Sequence, residues 1–121
     1  MADHRRERVE HLLRGALASL LQREAKDPRL AAVAVSAVRM TADLRQARIF
    51  YRLLGEATNR ADVELALERA TPFLRSAAGR ALGLRVTPLL RFEYDTTPDT
   101  ARRVEELLDS MPRRNDDEEP A

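Results

Sequence analysis

Two histidines, several adjacent acids and a long series of arginines are the residues of this 121-residue chain that could do chemistry. The histidines are His4 and His11. Seven residues along a helix make two turns, roughly 10.5 Å, so the two rings share a face but cannot share one metal ion. Cysteine is absent, which excludes disulfides, thiolate zinc sites and cysteine nucleophiles. The acids pair as Glu105/Glu106, Asp116/Asp117 and Glu118/Glu119. Adjacent acids diverge on a helix, and these read as solvated surface. No phosphate-binding glycine loop, nucleophile elbow, dinucleotide fingerprint or HExxH spacing occurs. Gly79 and Gly83 form a GxxxG inside a helical pattern, which reads as close packing. The expectation is a protein with no catalytic residues, no cofactor and no metal.

The arginines carry more information. Of the 21 basic residues only Lys26 is not arginine, and arginine offers a planar fork of donors suited to phosphate. Arg5, Arg6 and Arg8 cluster at the chain start, and Arg69, Arg75, Arg80 and Arg85 punctuate a later helical stretch. The formal net charge of +1 hides an asymmetry. Residues 112–121 hold two arginines and four acids, so residues 1–111 carry 19 basic against 16 acidic residues, a net of +3. A basic domain without catalytic apparatus suits phosphate contacts. Tyrosine and phenylalanine number five together and tryptophan is absent, so a base-stacking platform would have few members. No apolar run approaches the ~20 residues that span a bilayer, and MADHRRERVE lacks the apolar stretch of a secretory signal. A cytoplasmic protein of bacterial type, with no membrane partner, is the expectation.

The elements that must position these residues follow from periodicity. Val9, Leu12, Leu13, Ala16, Leu17, Leu20 and Leu21 form one apolar stripe, predicting a helix over 3–25 with Asp3 as N-cap and Pro28 beyond its end. Strands are predicted over 31–40 and 47–53, joined by a turn at Thr41–Leu44 and paired as an antiparallel hairpin. Two helices, 60–70 and 72–82, are predicted to meet in a rigid kink at Ala70-Thr71-Pro72. Pro72 cannot continue the helical ladder, and Thr71 would cap the second helix. A third strand is predicted over 89–94, parallel to the second. A last helix opens at Thr97-Pro98, with Ala101, Val104, Leu107, Leu108 and Met111 as its stripe, and 112–121 reads as a disordered charged tail. The fold class is α+β: a three-stranded mixed sheet with helices on one face. Arg48, Arg52 and Arg91 lie on the open face.

Phe73-Leu74-Arg75, followed by Leu84-Arg85-Val86-Thr87-Pro88-Leu89-Leu90-Arg91-Phe92-Glu93-Tyr94-Asp95, resembles the signature of the ribosome-binding factor A family. Asp27-Pro28-Arg29-Leu30 is similar to the family's step after its first helix, and Asp43-Leu44 with Ala47 to its DL-x-x-A turn. Ala70-Thr71-Pro72 falls where the family has an Ala-x-Gly interhelical kink, with Pro72 in place of the glycine. The resemblance covers about residues 5–108 and implies a bacterial type II KH fold, α-β-β-α-α-β. It also implies a non-catalytic role: binding the small (30S) ribosomal subunit and 16S rRNA during late assembly. Assistance with maturation of the rRNA ends, notably in the cold, comes with that role. Partners would include other assembly factors such as maturation GTPases, and the protein would be a monomer. The chain has no GxxG phosphate-gripping loop, so arginine side chains must carry the RNA contacts.

Two surfaces compete for that role. One is Arg5, Arg6, Arg8, Arg69, Arg75, Arg80 and Arg85, with the kink at its border. The other is the open sheet face at Arg48, Arg52 and Arg91. There Phe50, flanked by Arg48 and Arg52, also suits a protein–protein adaptor docking a partner.

Overall fold

The computed structural model describes residues 4–23, 25–55 and 59–97. Helix α1 spans Arg5–Arg23 and buries Leu13, Leu17, Leu20 and Leu21. Leu12, expected on that stripe, is 47% exposed, because it lies a full step round the helix from the line through Leu13, Leu17 and Leu20. The chain then turns through a short 3-10 helix, Pro28–Ala32, with Pro28 at its start. Asp27 caps that turn by accepting from the Arg29 N–H at 3.0 Å, and its carboxylate also takes the Arg29 guanidinium at 2.6 Å. These bonds hold the Asp27 carboxyl down at about 2, the side-chain bond from Arg29 contributing most.

Strand β1 (Val33–Met40) pairs antiparallel with β2 (Gln46–Leu53), and β2 pairs parallel with β3 (Leu89–Tyr94), in the order β1-β2-β3. The hairpin turn is tied by Thr41 and Asp43. Thr41 Oγ1 accepts from Gln46 N–H and donates to Asp43 Oδ1, which also accepts from Arg45 N–H. Leu44 takes the left-handed conformation at φ 61°, so the turn is strained at a residue that is not glycine. A bulge at Ser36 shifts the β1 register, and Ser36 Oγ donates to the buried Asp95 carboxylate at 2.8 Å.

Helix α2 runs unbroken from Arg60 to Leu82, with Pro72 inside it. Two helices meeting at Ala70-Thr71-Pro72 were the expectation, and the structure corrects it. Pro72, which takes the helical donor from the Glu68 carbonyl, is exposed, so its ring lies on the outer side of the helix. Val63, Ala66, Leu67, Leu74, Ala77 and Ala78 are buried on both sides of the proline, so core packing favours one continuous rod. Thr71 caps nothing: its hydroxyl donates to Leu67 O, one turn back, at 2.7 Å. Asn59 caps the start by accepting from Asp62 N–H, and Gly83, at φ 63°, ends the helix in the left-handed conformation.

Gly79 and Gly83 therefore do different jobs. A Cβ on Gly79 would sit 2.7 Å from Thr87 Oγ1, so glycine is what lets α2 approach the segment before β3. The core lies between the two helices and one sheet face, where Ala47, Ile49 and Tyr51 pair across with Leu90, Phe92 and Tyr94. Asp3, the expected last helix and the tail lie outside the described residues, as does the 111/112 domain boundary.

Candidate nucleic-acid interface

Arg75 was expected to reach phosphate, but its fork points into the protein. The guanidinium is half-buried and donates from Nε to Pro88 O at 2.9 Å and from Nη2 to Thr87 O at 2.8 Å. These charge-assisted bonds clamp α2 to the segment that leads into β3. Together with the bare backbone of Gly79 they fix where Thr87 and Pro88 lie, and hence where Arg85 stands. Two of the Arg75 donors are thus spent on positioning this segment.

Three other arginines converge at one corner. The start of α1, the hairpin turn and the loop after α2 enclose a cleft of about 330 Å3, and Arg5, Arg45 and Arg85 are among its lining residues. Glu10 holds α1 to the sheet by accepting from Met40 N–H at 2.7 Å. Leu89 N–H, bonded to Arg45 O at 2.9 Å, ties the turn to β3. The acid in the cleft is Asp43. Its bonds from the Thr41 hydroxyl, then the Arg45 N–H, lower its proton affinity, so it stays anionic. Sequence reasoning named Arg5 and Arg85 and missed Arg45. The signal was present: Arg45 directly follows the turn residues, and the second strand must end beside the loop before the third. Arg6, Arg8, Arg69 and Arg80 are exposed, and Arg80 Nη1 donates to Ser76 Oγ at 2.7 Å.

The open sheet face has a different balance. Arg39, Arg48 and Arg91 stand opposite one another in a row across the three strands. Arg39 is the second residue that sequence reasoning missed, although hairpin pairing about the turn places it opposite Arg48. Glu93 answers the row. It accepts both arms of Arg48 at 2.9 Å and lies 3.9 Å from Arg91. The Arg48 bond is the main reason the Glu93 carboxyl sits below its ordinary range. Arg52 donates to Thr97 O at 3.4 Å, and Arg48 lies over the Phe50 ring at 5.0 Å.

The surface beside Thr71 and Pro72 is a groove of about 950 Å3 between α2 and β3. Its floor includes Leu67, Leu90 and Phe92, and Glu64, Glu68 and Glu93 face it with one arginine, Arg91. Two of these acids are already paired, Glu64 with Arg60 at 3.1 Å and Glu93 with Arg48 at 2.9 Å. Because α2 is continuous, no free helix start exists at residue 71 to offer N–H groups to a phosphate. The second helix start expected at Thr71 is therefore absent. Among the described residues no group of three potential ligands could hold a metal, and no helix is long and apolar enough to cross a membrane.

The fold and its surface define a small KH-like α+β module, with the two crossover helices fused into one and its positive charge held almost wholly by arginine. The sequence model of the family described as ribosome-binding factor A matches residues 5–108, and the chain belongs to that family. Curated relatives agree. Ribosome-binding factor A of Streptomyces avermitilis is 46% identical over 111 residues, covering 90% of this chain and 71% of the relative. The Streptomyces coelicolor protein is 44% identical over 119 residues, covering 97% and 74%. The crystal structure of ribosome-binding factor A from Thermus thermophilus superposes with a TM-score of 0.65 at 30% identity, over 74% of this chain and 94% of that one. A homology model of the Thermus thermophilus factor, as fitted into the cryo-EM map of a 30S complex, gives 0.62 at 31% identity, over 74% and 96%.

Proposed function

We propose that this chain is a non-catalytic assembly factor that binds the small ribosomal subunit through 16S rRNA. In this reading it assists late maturation, including processing of the rRNA ends and growth in the cold. It works in the cytoplasm as a monomer, beside other assembly factors such as maturation GTPases. The observation that carries the reading is the likeness to a relative fitted into a 30S complex. The charge distribution supports it: Arg5, Arg45 and Arg85 gather at one corner, and their phosphate contacts would not depend on a GxxG loop. In this reading the exposed Arg6, Arg8, Arg69 and Arg80 add further phosphate contacts, while Arg75 holds the corner in shape.

Cosedimentation of the tagged chain with purified subunits tests this. Binding to the small subunit and not the large one is expected, and equal binding to both overturns the reading. A second reading, a protein–protein adaptor on the open sheet face, draws on Phe50 beneath Arg48. A salt titration separates the two. Phosphate contacts give an affinity that falls steeply with log salt, whereas an apolar interface is nearly flat.

A further inference from the structure

On the side of α2 away from the acidic groove lies a second cleft, of about 360 Å3, beneath the segment that links α1 to the 3-10 turn. Ala25, Leu30, Ala66 and Ala70 line it and Phe73 forms a wall. Three of these are alanines on facing elements, so the hollow exists because the side chains that could fill it are short. Phe73 is 41% exposed although the adjoining turns of α2 bury Leu67, Leu74 and Ala77. An aromatic ring left open beside an apolar hollow has a face to offer.

The rim is cationic. Lys26 and Arg69 stand on it, and neither forms an ion pair with an acid among the described residues. Asp27, the acid of this cleft, is taken by the guanidinium and backbone N–H of Arg29. Helix α2 thus separates two kinds of surface: Glu64 and Glu68 face one cleft, and Arg69 faces the other.

We propose that this second cleft receives one unpaired nucleobase of the bound RNA, stacked on Phe73, with its flanking phosphates met by Lys26 and Arg69. The inference rests on the RNA-binding reading above and names a site within it. A nucleobase has a flat face that an aromatic side chain can stack on, and it carries an anionic backbone on either side. An aliphatic side chain of a protein partner would fill the hollow but leave the two cations unused. Single-stranded segments whose bases splay out are what such a site selects.

The chain has no tryptophan, so Phe73→Trp places a single reporter at the wall. Titration with a short single-stranded RNA of mixed sequence should quench its fluorescence saturably, while inorganic polyphosphate, which has charge but no base, should not. Quenching by an acidic peptide and not by RNA overturns the proposal, as does no quenching by RNA. In parallel, Phe73→Ala and Phe73→Leu should each weaken small-subunit binding roughly ten-fold, in line with the loss of one stacked base. Their melting temperatures should stay near the parent's. If Phe73→Leu binds as the parent does, the ring is not stacking and the proposal fails while the RNA-binding reading stands. If the parent itself does not bind the small subunit, the wider reading falls.

Discussion

The open sheet face and the corner formed by α1, the hairpin turn and the loop after α2 are both rich in arginine. On the sheet face Glu93 takes both arms of Arg48 and lies 3.9 Å from Arg91, so the charge of Arg48 is answered within the sheet. At the corner, Arg45 and Arg85 come from separate elements and line one cleft with Arg5 and with the Asp43 carboxylate, which the turn already engages. Equal counts of one residue type therefore describe unequal surfaces. What a guanidinium can do for a ligand depends on which acceptors the fold has already placed beside it.

Breaking the corner from within should give the largest effect. Arg75→Ala leaves the Thr87 and Pro88 carbonyls without their charged donor, and a loss of about 2–3 kcal/mol of stability is expected. That corresponds to a fall of about 10 °C in melting temperature, with weaker subunit binding because Arg85 loses its support. Arg75→Lys should rescue little, since one ammonium cannot reproduce the fork. An unchanged melt would show that the clamp does not hold the corner.

Gly79→Ala comes next. Its new Cβ meets the Thr87 side chain, and a cost of about 1–3 kcal/mol is expected in urea denaturation. Adding Thr87→Ala should recover much of it, and strict additivity of the two changes would refute the contact.

Removing the corner's charge without its scaffold should separate binding from stability. For Arg45→Ala with Arg85→Ala, a salt-dependence slope lower by about 2 is expected if each side chain meets one phosphate. The melting curve should hardly move. An unaltered slope would move the RNA surface elsewhere.

The smallest effect is expected on the sheet face. Arg48→Ala removes a cation that Glu93 already neutralises, so small-subunit affinity should stay within about two-fold of the parent's. A larger loss would reverse the ranking of the two surfaces and favour the row Arg39, Arg48 and Arg91.

Much of the fold was legible along the chain because its signals are local. The stripe from Leu13 to Leu21, the alternation of Ile49, Tyr51 and Leu53, and the turn chemistry of Thr41 and Asp43 each act over a few residues. The antiparallel hairpin and the parallel third strand followed from them, while the two helices expected between the second and third strands are one in the structure. The family was legible too, because its signature is a fixed run of residues. Pro72 is where local reasoning failed. Its break is a strong local preference, yet Leu67 and Leu74 are buried together on one core, and the exposed position of the ring lets the helix carry the proline.

The sequence by itself determined the element types, the family and the excess of arginine over acid in residues 1–111. The tertiary structure alone decided which arginines face outward. A guanidinium sits on a long, flexible stem, and its direction is set by acceptors that are distant in sequence. Arg75 finds carbonyls twelve and thirteen residues on, Arg48 finds a carboxylate forty-five residues on, and Arg5, Arg45 and Arg85 meet only because three elements close one corner. No spacing rule along the chain reports such partners, because they exist only once the helices have packed against the sheet.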